Sequence, residues 1–229
     1  MPDHHAGLRD AALAEDIRER LELDPRLRAL PLEAEVRGGV AHVTAPLLKG
    51  GDCRALYHAL SRVRGVHAVW YRACDPAFRS VDLGCGSTRQ VEGSLGVDAA
   101  RTPAVHALAD LDSGLPFRDG SIDALFAVHV LEHVRGLLGV MNEAHRVLRP
   151  SGVLHVMVPH CGHVNAFADP THVRYFNRQT FKYFCRPPAG VFPWFPEIVS
   201  CDGASIFADL RPLAPGEAAP EAQLARYFD

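Results

Sequence analysis

The sequence lacks paired cysteines. Its six cysteines are irregularly spaced, and no two of them form a Cys-x-x-Cys pair. Zinc clusters and disulfide frameworks both depend on regularly spaced cysteines, so this distribution argues against either one. It is typical of a protein that works in a reducing cytoplasm, which is the localisation that we expect.

Long hydrophobic runs are also missing. No apolar stretch approaches the roughly 20 residues that a helix needs to cross a bilayer. The amino-terminal segment MPDHHAGLRDAALAEDIRER is charged throughout and contains no apolar core of a secretion signal. The sequence therefore predicts a protein that is neither exported nor held in a membrane by a helix.

Charge of one sign is not in excess. The chain has 24 lysine and arginine residues against 27 aspartate and glutamate residues, which gives a formal net charge of -3. The basic residues are spread along the chain rather than clustered. A nucleic-acid-binding protein normally carries a basic patch, so we expect no nucleic acid partner.

What the sequence does contain is enough apolar material for two domains. Hydrophobic residues make up 48% of the 229 residues, and a chain of this length can hold a small domain and a medium one. We place the junction at Asp75-Pro76. The predicted domains are residues 8–72 and 76–213, followed by a carboxy-terminal tail at 214–229.

The first predicted domain has the order helix, hairpin, helix, strand. Apolar residues recur with a helical period in its first part, and Asp24-Pro25 ends that helix. Two alternating segments flank Gly38-Gly39, a pair suited to a tight turn. The predicted elements are a helix at 8–23, strands at 32–36 and 40–45, a helix at 50–64 and a strand at 66–71.

This order of elements, together with the proline and the glycines that separate them, resembles the BON domain, a small α/β module of bacterial envelope proteins. The matching features are Leu23-Asp24-Pro25 after the first helix, VRGGVAHVTAPL as the hairpin, and VRGVHAVW as the final glycine and strand. The resemblance implies association with phospholipid or other envelope components, and therefore a peripheral membrane or protein partner. A docking or dimerisation module is the alternative.

In the second predicted domain, strands and helices alternate, which is the pattern of a parallel α/β sheet. The apolar run at residues 122–128 is typical of a strand that is buried on both faces. A predicted helix at 137–148 ends at Pro150-Ser151-Gly152, and a strand at 153–158 follows.

The end of this domain predicts a different kind of strand pairing. Residues 197–200 and 205–210 flank Asp202-Gly203 and read as an antiparallel hairpin. The fold that we expect is therefore α/β, with a Rossmann-like, mostly parallel sheet that ends in a carboxy-terminal antiparallel hairpin, next to the small amino-terminal α/β domain.

The most informative stretch is FRSVDLGCGSTRQVEGSLGVD, at residues 78–98. An apolar run ends in Asp82 and breaks into the loop Gly84-Cys85-Gly86, and a second apolar run ends in Asp98. In a parallel sheet, glycines at this place let the backbone approach a nucleotide, and an acid after the second strand accepts hydrogen bonds from ribose hydroxyls. The alternative is that the glycines are ordinary turn residues.

A dinucleotide-binding loop fits this stretch less well. The motif Gly-x-Gly-x-x-Gly needs a third glycine where this chain has Arg89, and a helix on whose amino end the pyrophosphate rests. Only nine residues separate Gly86 from Gly96. We therefore predict that the helix which usually joins the first two strands is missing or vestigial.

Four segments together resemble the class I S-adenosylmethionine-dependent methyltransferases. They are VDLGCG, GVD, ADLDSGLPFRDGSIDALFAVHVLEHV and HRVLRPSGVLHVMVPH. A subgroup of small members shares the shortened first helix and a segment like VPHCGHVNAFADPTHVRYFNRQTFKYF. The resemblance implies that the enzyme is a methyltransferase and that its cofactor is S-adenosyl-L-methionine.

The resemblance also implies the cofactor-binding residues. It puts Asp98 on the ribose hydroxyls, Asp110 with Leu111 on the adenine amino group, and His129 beside the methyl-bearing sulfonium. The first loop would contact the amino-acid part of the cofactor. The full implied set is Asp82, Gly84, Cys85, Gly86, Asp98, Asp110, Leu111 and His129.

Methyl transfer from a sulfonium is an in-line displacement, so the protein contributes alignment, exclusion of water and, where the acceptor carries a proton, a general base. Histidine suits that base near neutral pH. The catalytic candidates are His129, His160, His172 and Arg174. For His129 the alternative is structural, because Glu132-His133 would cap or pack the following helix.

The sequence predicts no metal site. His160, His163, Asp169 and His172 are an alternative set of ligands, but they show no fixed zinc-ligand spacing. No acceptor motif stands out, and the resemblance implies a small molecule, a sugar or a glycolipid precursor. Two other functions stay open, a non-catalytic cofactor-binding protein and an envelope- or lipid-associated adaptor that acts through the BON-like domain.

Overall fold

The computed structural model describes residues 4–48 and 50–229. The chain divides into two compact units, Met1–Phe78 and Arg79–Asp229. Each unit has its own sheet and its own set of buried apolar side chains. Among the described residues, no helix combines the length and the apolar character that crossing a membrane requires.

The amino-terminal unit combines two helices with a three-stranded sheet of order β1-β2-β3. Strand β2 pairs antiparallel with β1 and parallel with β3. Its elements are α1 (His4–Leu23), β1 (Glu33–Arg37), β2 (Val40–Ala45), α2 (Gly50–Leu60) and β3 (Ala68–Ala73). The predicted order of elements is confirmed. Helix α2 ends earlier than predicted because the amides of Arg62 and Val63 bond to the carbonyls three residues back, which tightens the last turn.

A side chain of α1 holds the hairpin turn of this unit. The Asp10 carboxylate accepts hydrogen bonds from the amides of Gly38, at 2.7 Å, and Gly39, at 3.1 Å. These amides lie in the turn and outside the strand ladder, in which Arg37 pairs with Val40. A partly buried acid of α1 thus satisfies two backbone donors that would otherwise depend on water.

The carboxy-terminal unit is built on a seven-stranded sheet of order β6-β5-β4-β7-β8-β10-β9. The strands from β6 to β8 are parallel, whereas β10 pairs antiparallel with both β8 and β9. The elements are β4 (Ser80–Leu83), β5 (Leu95–Asp98), β6 (Ala107–Leu108), β7 (Ile122–Val128), α3 (Leu137–Val147), β8 (Leu148–Pro159), α4 (Asn165–Ala168), α5 (Arg178–Cys185), β9 (Trp194–Cys201), β10 (Ser205–Pro212) and α6 (Glu221–Phe228). This confirms the predicted Rossmann-like, mostly parallel sheet and its terminal hairpin.

Strand β7 lies at the centre of this core. Six of its seven residues are buried, as its continuous apolar sequence predicts for a strand covered on both faces. Helix α3 adds one apolar stripe of five buried residues with helical spacing. They are Leu137, Val140, Met141, Ala144 and Val147. The core therefore fixes β4, β5, β7 and β8 side by side, with their carboxyl ends at one edge of the sheet.

The start of β8 differs from the prediction. The strand begins at Leu148, directly after α3, so Pro150 and Gly152 lie within it rather than before it. The ladder with β7 shifts its register between Ile122 and Ala124, and this irregularity accommodates the proline. A Cβ atom on Gly152 would lie 3.0 Å from the Asp123 carbonyl oxygen, so the close approach of the two strands favours glycine there.

A buried polar pair joins β8 to β10. The Nδ1 atom of His155 lies 2.8 Å from Oδ1 of Asp209, and both side chains are almost fully buried. The His155 ring stacks on Phe126 with 4.7 Å between the ring centroids. The pair crosses from the parallel part of the sheet to the hairpin and leaves neither polar group without a partner.

We expect residues 79–229 to fold without the first unit, because that segment closes its own sheet and its own apolar core. The expected result is a soluble fragment with cooperative thermal unfolding, measured by circular dichroism. A fragment that is insoluble alone but becomes soluble when residues 1–78 are added in trans would instead show a shared core.

Candidate functional site

The glycine loop turns back over the end of the neighbouring strand. The amides of Gly84 and Cys85 both donate to the Val97 carbonyl, at 2.8 and 3.3 Å. Since Val97 belongs to β5, the loop after β4 is fixed to the strand beside it. The predicted loop and the predicted second acid are therefore adjacent in space.

The two loop glycines meet different surroundings. Both have a left-handed backbone, with φ of 63° at Gly84 and 55° at Gly86. A Cβ atom on Gly84 would lie 2.2 Å from Cγ2 of Val130, whereas one on Gly86 would meet no heavy atom within 4 Å. Gly84 is thus required by packing against the loop after β7, and Gly86 leaves open space at the edge of the sheet.

Asp98 clasps the glycine loop. Its Oδ2 accepts from the Gly86 amide at 2.9 Å, and its Oδ1 accepts from the Ala100 amide at 2.8 Å. The Thr102 hydroxyl donates to the Gly86 carbonyl at 2.5 Å. The Asp98 carboxylate therefore binds the amide of Gly86, and the Thr102 hydroxyl binds its carbonyl. Sequence reasoning missed Thr102, because its contact with the loop is not local.

Asp82 is a buried acid beneath the same loop. Only 1% of the residue is exposed, and its Oδ2 accepts from the Gln90 amide at 2.5 Å. Burial raises the pKa of this carboxyl from 3.8 to about 6, against the opposing effects of the Gln90 hydrogen bond and the charge of Arg89. The carboxyl therefore changes charge in the range where many enzymes work.

Cys85 is not an activated thiol. Burial raises the pKa of the Cys85 thiol, and the negative charges of Asp82 and Asp98 raise it further. A raised pKa keeps the group in its poorly nucleophilic neutral form. The loop thus offers this side chain as a packing group.

The expected shortening of the first helix is confirmed. Residues 84–94, all of which the structure describes, form turns and bends but no helix. Arg89 closes this stretch by donating to the Ser94 carbonyl at 3.2 Å, and its guanidinium lies 3.1 Å from Nε2 of His106. The Arg89 side chain thus joins the connection after β4 to residues that precede β5 and β6.

Asp110 and Leu111 lie where the chain leaves β6. Asp110 caps the short 3-10 turn Leu111–Ser113, accepting from the Asp112 amide at 3.0 Å and from the Ser113 hydroxyl at 3.3 Å. Leu111 is buried. Both residues are thus on the same edge of the sheet as Asp98, and the Asp110 carboxylate already has two donors.

Asp112 was not singled out from the sequence. Its carboxylate accepts from the amides of Arg135, at 3.0 Å, and Gly136, at 2.6 Å. These two hydrogen bonds lower the pKa of Asp112. Gly136 precedes α3, so Asp112, and not Glu132-His133, fixes the entry into that helix.

His129 has an unusual backbone. Among the described residues it is the one non-glycine residue with positive φ, at 53°. Its side chain is about half exposed, and Nδ1 lies 3.3 Å from Oε1 of the buried Glu132. Residues kept in this region of φ often lie at functional sites, because the surrounding fold must hold them there.

The segment after β8 folds back onto the loop after β7. The amides of Val173 and Arg174 both donate to the Glu132 carbonyl, at 2.9 and 3.2 Å. The Arg174 guanidinium donates to the carbonyls of Val134, at 2.8 Å, and Arg135. Arg174 is therefore placed as a positioning residue for the loop.

The predicted catalytic histidines fall into two places. His172 lies against His133, with 4.8 Å between the ring centroids, and its Nδ1 lies 2.9 Å from the Ala166 carbonyl oxygen. His160 stands at the end of β8, where its amide donates to the Ala204 carbonyl at 2.8 Å. His160 and His172 were two of the alternative metal ligands in the sequence analysis. The structure places them in different contacts, because His172 lies against His133, which was not in that set.

A family model described as a methyltransferase domain matches residues 81–156. The matched stretch runs from β4 into β8 and contains the glycine loop, Asp98 and His129. Over this stretch, which is 76 of the 229 residues, the chain is thus similar to methyltransferase domains. No curated protein matches the sequence.

Several solved structures resemble part of the chain. A methyltransferase from Mesorhizobium loti is 17% identical, with 59% of this chain and 91% of that one covered and a TM-score of 0.44. A methyltransferase from Archaeoglobus fulgidus is 21% identical, with 47% and 58% covered and a TM-score of 0.40. Geranyl diphosphate C-methyltransferase from Streptomyces coelicolor A3(2) is 13% identical, with 60% and 70% covered and a TM-score of 0.44.

The two loop glycines offer a matched test of the site's packing. We expect Gly84→Ala to lower the free energy of unfolding by about 2 to 5 kcal/mol, because it combines a left-handed backbone with a clash against Val130. Gly86→Ala should lower it by only about 1 to 2 kcal/mol, because only the backbone is strained. Urea unfolding of both variants measures the difference, and equal losses would contradict the packing described for Gly84.

Proposed function

We propose that the protein transfers a methyl group from S-adenosyl-L-methionine to an acceptor that is a small molecule, a sugar or a glycolipid precursor. The observation that carries the proposal is the clasp of Asp98 on Gly86, within the matched methyltransferase domain and at the carboxyl edge of its parallel sheet. A carboxylate there is suited to the two hydroxyls of a ribose. S-adenosyl-L-methionine is the cofactor, with its nucleoside over the ends of β5 and β6.

We assign the remaining cofactor contacts from the placement of the nucleoside over the ends of β5 and β6. Asp82 and the loop Gly84-Cys85-Gly86 take the amino-acid part, where the open space next to Gly86 supports a close approach. Asp110 and Leu111 take the adenine. His129, half exposed at the end of β7, faces the transferred methyl group.

The acceptor side is assigned to residues 159–184. The hydrogen bonds from Val173 and Arg174 to Glu132 support this, because they hold the segment next to His129. His129, His160 and His172 are the candidates for a base, and Arg174 acts by holding the loop. Methyl transfer needs little covalent chemistry from the protein, so this alignment supplies most of its contribution.

We also propose that the amino-terminal unit is a BON-like docking module for a membrane surface or a protein partner. Its order of helix, hairpin, helix and strand supports the proposal, as does the mixed sheet in which β2 is central. Full cofactor affinity in the fragment 79–229 would assign this unit to a task other than cofactor binding.

The proposal predicts that Asp98→Ala weakens cofactor binding by about 30- to 150-fold, since hydrogen bonds to a charged acceptor contribute about 2 to 3 kcal/mol. Isothermal titration with S-adenosyl-L-methionine measures the change. Asp119→Ala is the matched control, because Asp119 is an exposed acid that precedes β7 at the opposite edge of the sheet. An unchanged affinity in Asp98→Ala would remove the main support for the proposed function.

Cofactor affinity should also depend on pH through Asp82. Its pKa is about 6, so the carboxyl is mostly neutral at pH 5 and mostly ionised at pH 7. Only the ionised form attracts the positively charged amino group and sulfonium, so affinity should rise about tenfold between these pH values. Asp82→Asn should flatten the profile. A wild-type affinity that is constant from pH 5 to pH 7 would exclude this role for Asp82.

A further inference from the structure

Three side chains that the cofactor contacts do not use come together where β7 and β8 end. A ligand atom of each of Glu132, His133 and His172 lies within 4.8 Å of one on each of the other two. Glu132 and His133 follow β7, whereas His172 arrives from the segment after β8. The fold therefore builds a cluster of two imidazoles and one carboxylate that sequence spacing does not reveal.

Glu132 lacks a partner for one of its oxygens. The residue is only 1% exposed, and among the described residues nothing donates a hydrogen bond to its Oε2. A buried carboxylate oxygen without a partner is costly, by about 1 to 3 kcal/mol or more for a charged group. Such an oxygen indicates a missing positive partner, and it belongs to the same side chain that the two histidines approach.

Hydrogen bonds prepare the His172 ring to bind a cation. Its Nδ1 lies 2.9 Å from the Ala166 carbonyl oxygen. A carbonyl can only accept, so Nδ1 carries the proton and donates it. In a neutral imidazole this leaves a lone pair on Nε2, which is the form that binds a metal ion.

The His133 ring is fixed in the same way through Thr171. The Thr171 Oγ1 lies 2.7 Å from Oδ1 of Asp169 and 3.0 Å from Nδ1 of His133. The hydroxyl gives its single proton to the carboxylate, so it accepts from Nδ1 of His133. The Nε2 lone pair of His133 is therefore available as well, and a carboxylate supports this ring from outside, as is usual for metal-ligating histidines.

We propose that Glu132, His133 and His172 bind a divalent transition metal ion of the zinc type. Two imidazoles and one carboxylate are a ligand set of catalytic zinc sites, which leave a further coordination position open. In a tetrahedral site with bonds of about 2.0 to 2.2 Å, ligand atoms lie about 3.3 to 3.6 Å apart. The three side chains, whose ligand atoms lie within 4.8 Å of one another, would therefore have to close in by up to about 1.5 Å when the ion binds.

The position of the ion also suggests what it would do. Both histidines are partly exposed, so an open coordination position on the ion would be accessible to an acceptor. An acceptor oxygen bound there would be held and made more acidic by the ion. With the ion on its Nε2, His172 would no longer serve as a base, which leaves that role to His129 or His160. The role of the ion rests on the proposed function, whereas the binding of the metal does not.

Titration of the full-length chain with Co²⁺ after chelator treatment tests the site, because the visible absorption of Co²⁺ reports its ligands. We expect one equivalent to bind and Zn²⁺ to displace it. His172→Ala, His133→Ala and Glu132→Gln should each weaken binding at least about tenfold. The matched controls are His160→Ala and His163→Ala, which remove neighbouring histidines that lie outside the cluster.

Folding and cofactor binding are controlled separately. Thermal unfolding should show that Zn²⁺ raises the Tm of the wild type but not that of His172→Ala, a change at a partly exposed side chain. Asp98→Ala should bind Co²⁺ like the wild type even where it fails to bind cofactor. The proposal is overturned if the wild type binds no Co²⁺, if all three ligand variants bind it normally, or if the two controls lose it equally.

Discussion

The site depends on one hydrogen bond, from the Gly86 amide to the Asp98 carboxylate. The peptide after β4 has to turn back over β5, and neither strand alone holds it there. The carboxylate supplies the acceptor at the end of β5, and the Thr102 hydroxyl binds the other side of the same residue. These two hydrogen bonds hold the Gly86 backbone in place beside the open space at the end of the sheet.

The other half of the site depends on a single carbonyl. The Glu132 carbonyl oxygen accepts from two successive amides of the segment after β8, so these bonds join the loops that leave β7 and β8. Arg174 adds two further bonds to the same loop. These backbone bonds also bring His172 close to His133 and to the Glu132 side chain. The cluster of the three side chains therefore depends on the backbone contacts.

Local patterns predicted much of this from the sequence. The apolar run of β7, the glycine loop and the missing helix each follow from neighbouring residues, because strand burial and loop length are local properties. The start of β8 was wrong, since Pro150 and Gly152 normally end an element and here fit a register shift that only pairing with β7 creates. Thr102, Asp112 and the meeting of Glu132 with His172 were not predicted, because each joins segments that are distant in sequence.

The two outermost strands of the large sheet, β6 and β9, have a consequence for self-association. Exposed edge strands tend to recruit strands from other molecules and so to start aggregation. Here β6 is only two residues long, and β9 contains Pro196, which offers no amide hydrogen, beside a register shift against β10. Neither edge is a regular template for a further strand, so the sheet should resist growing by addition of copies of itself.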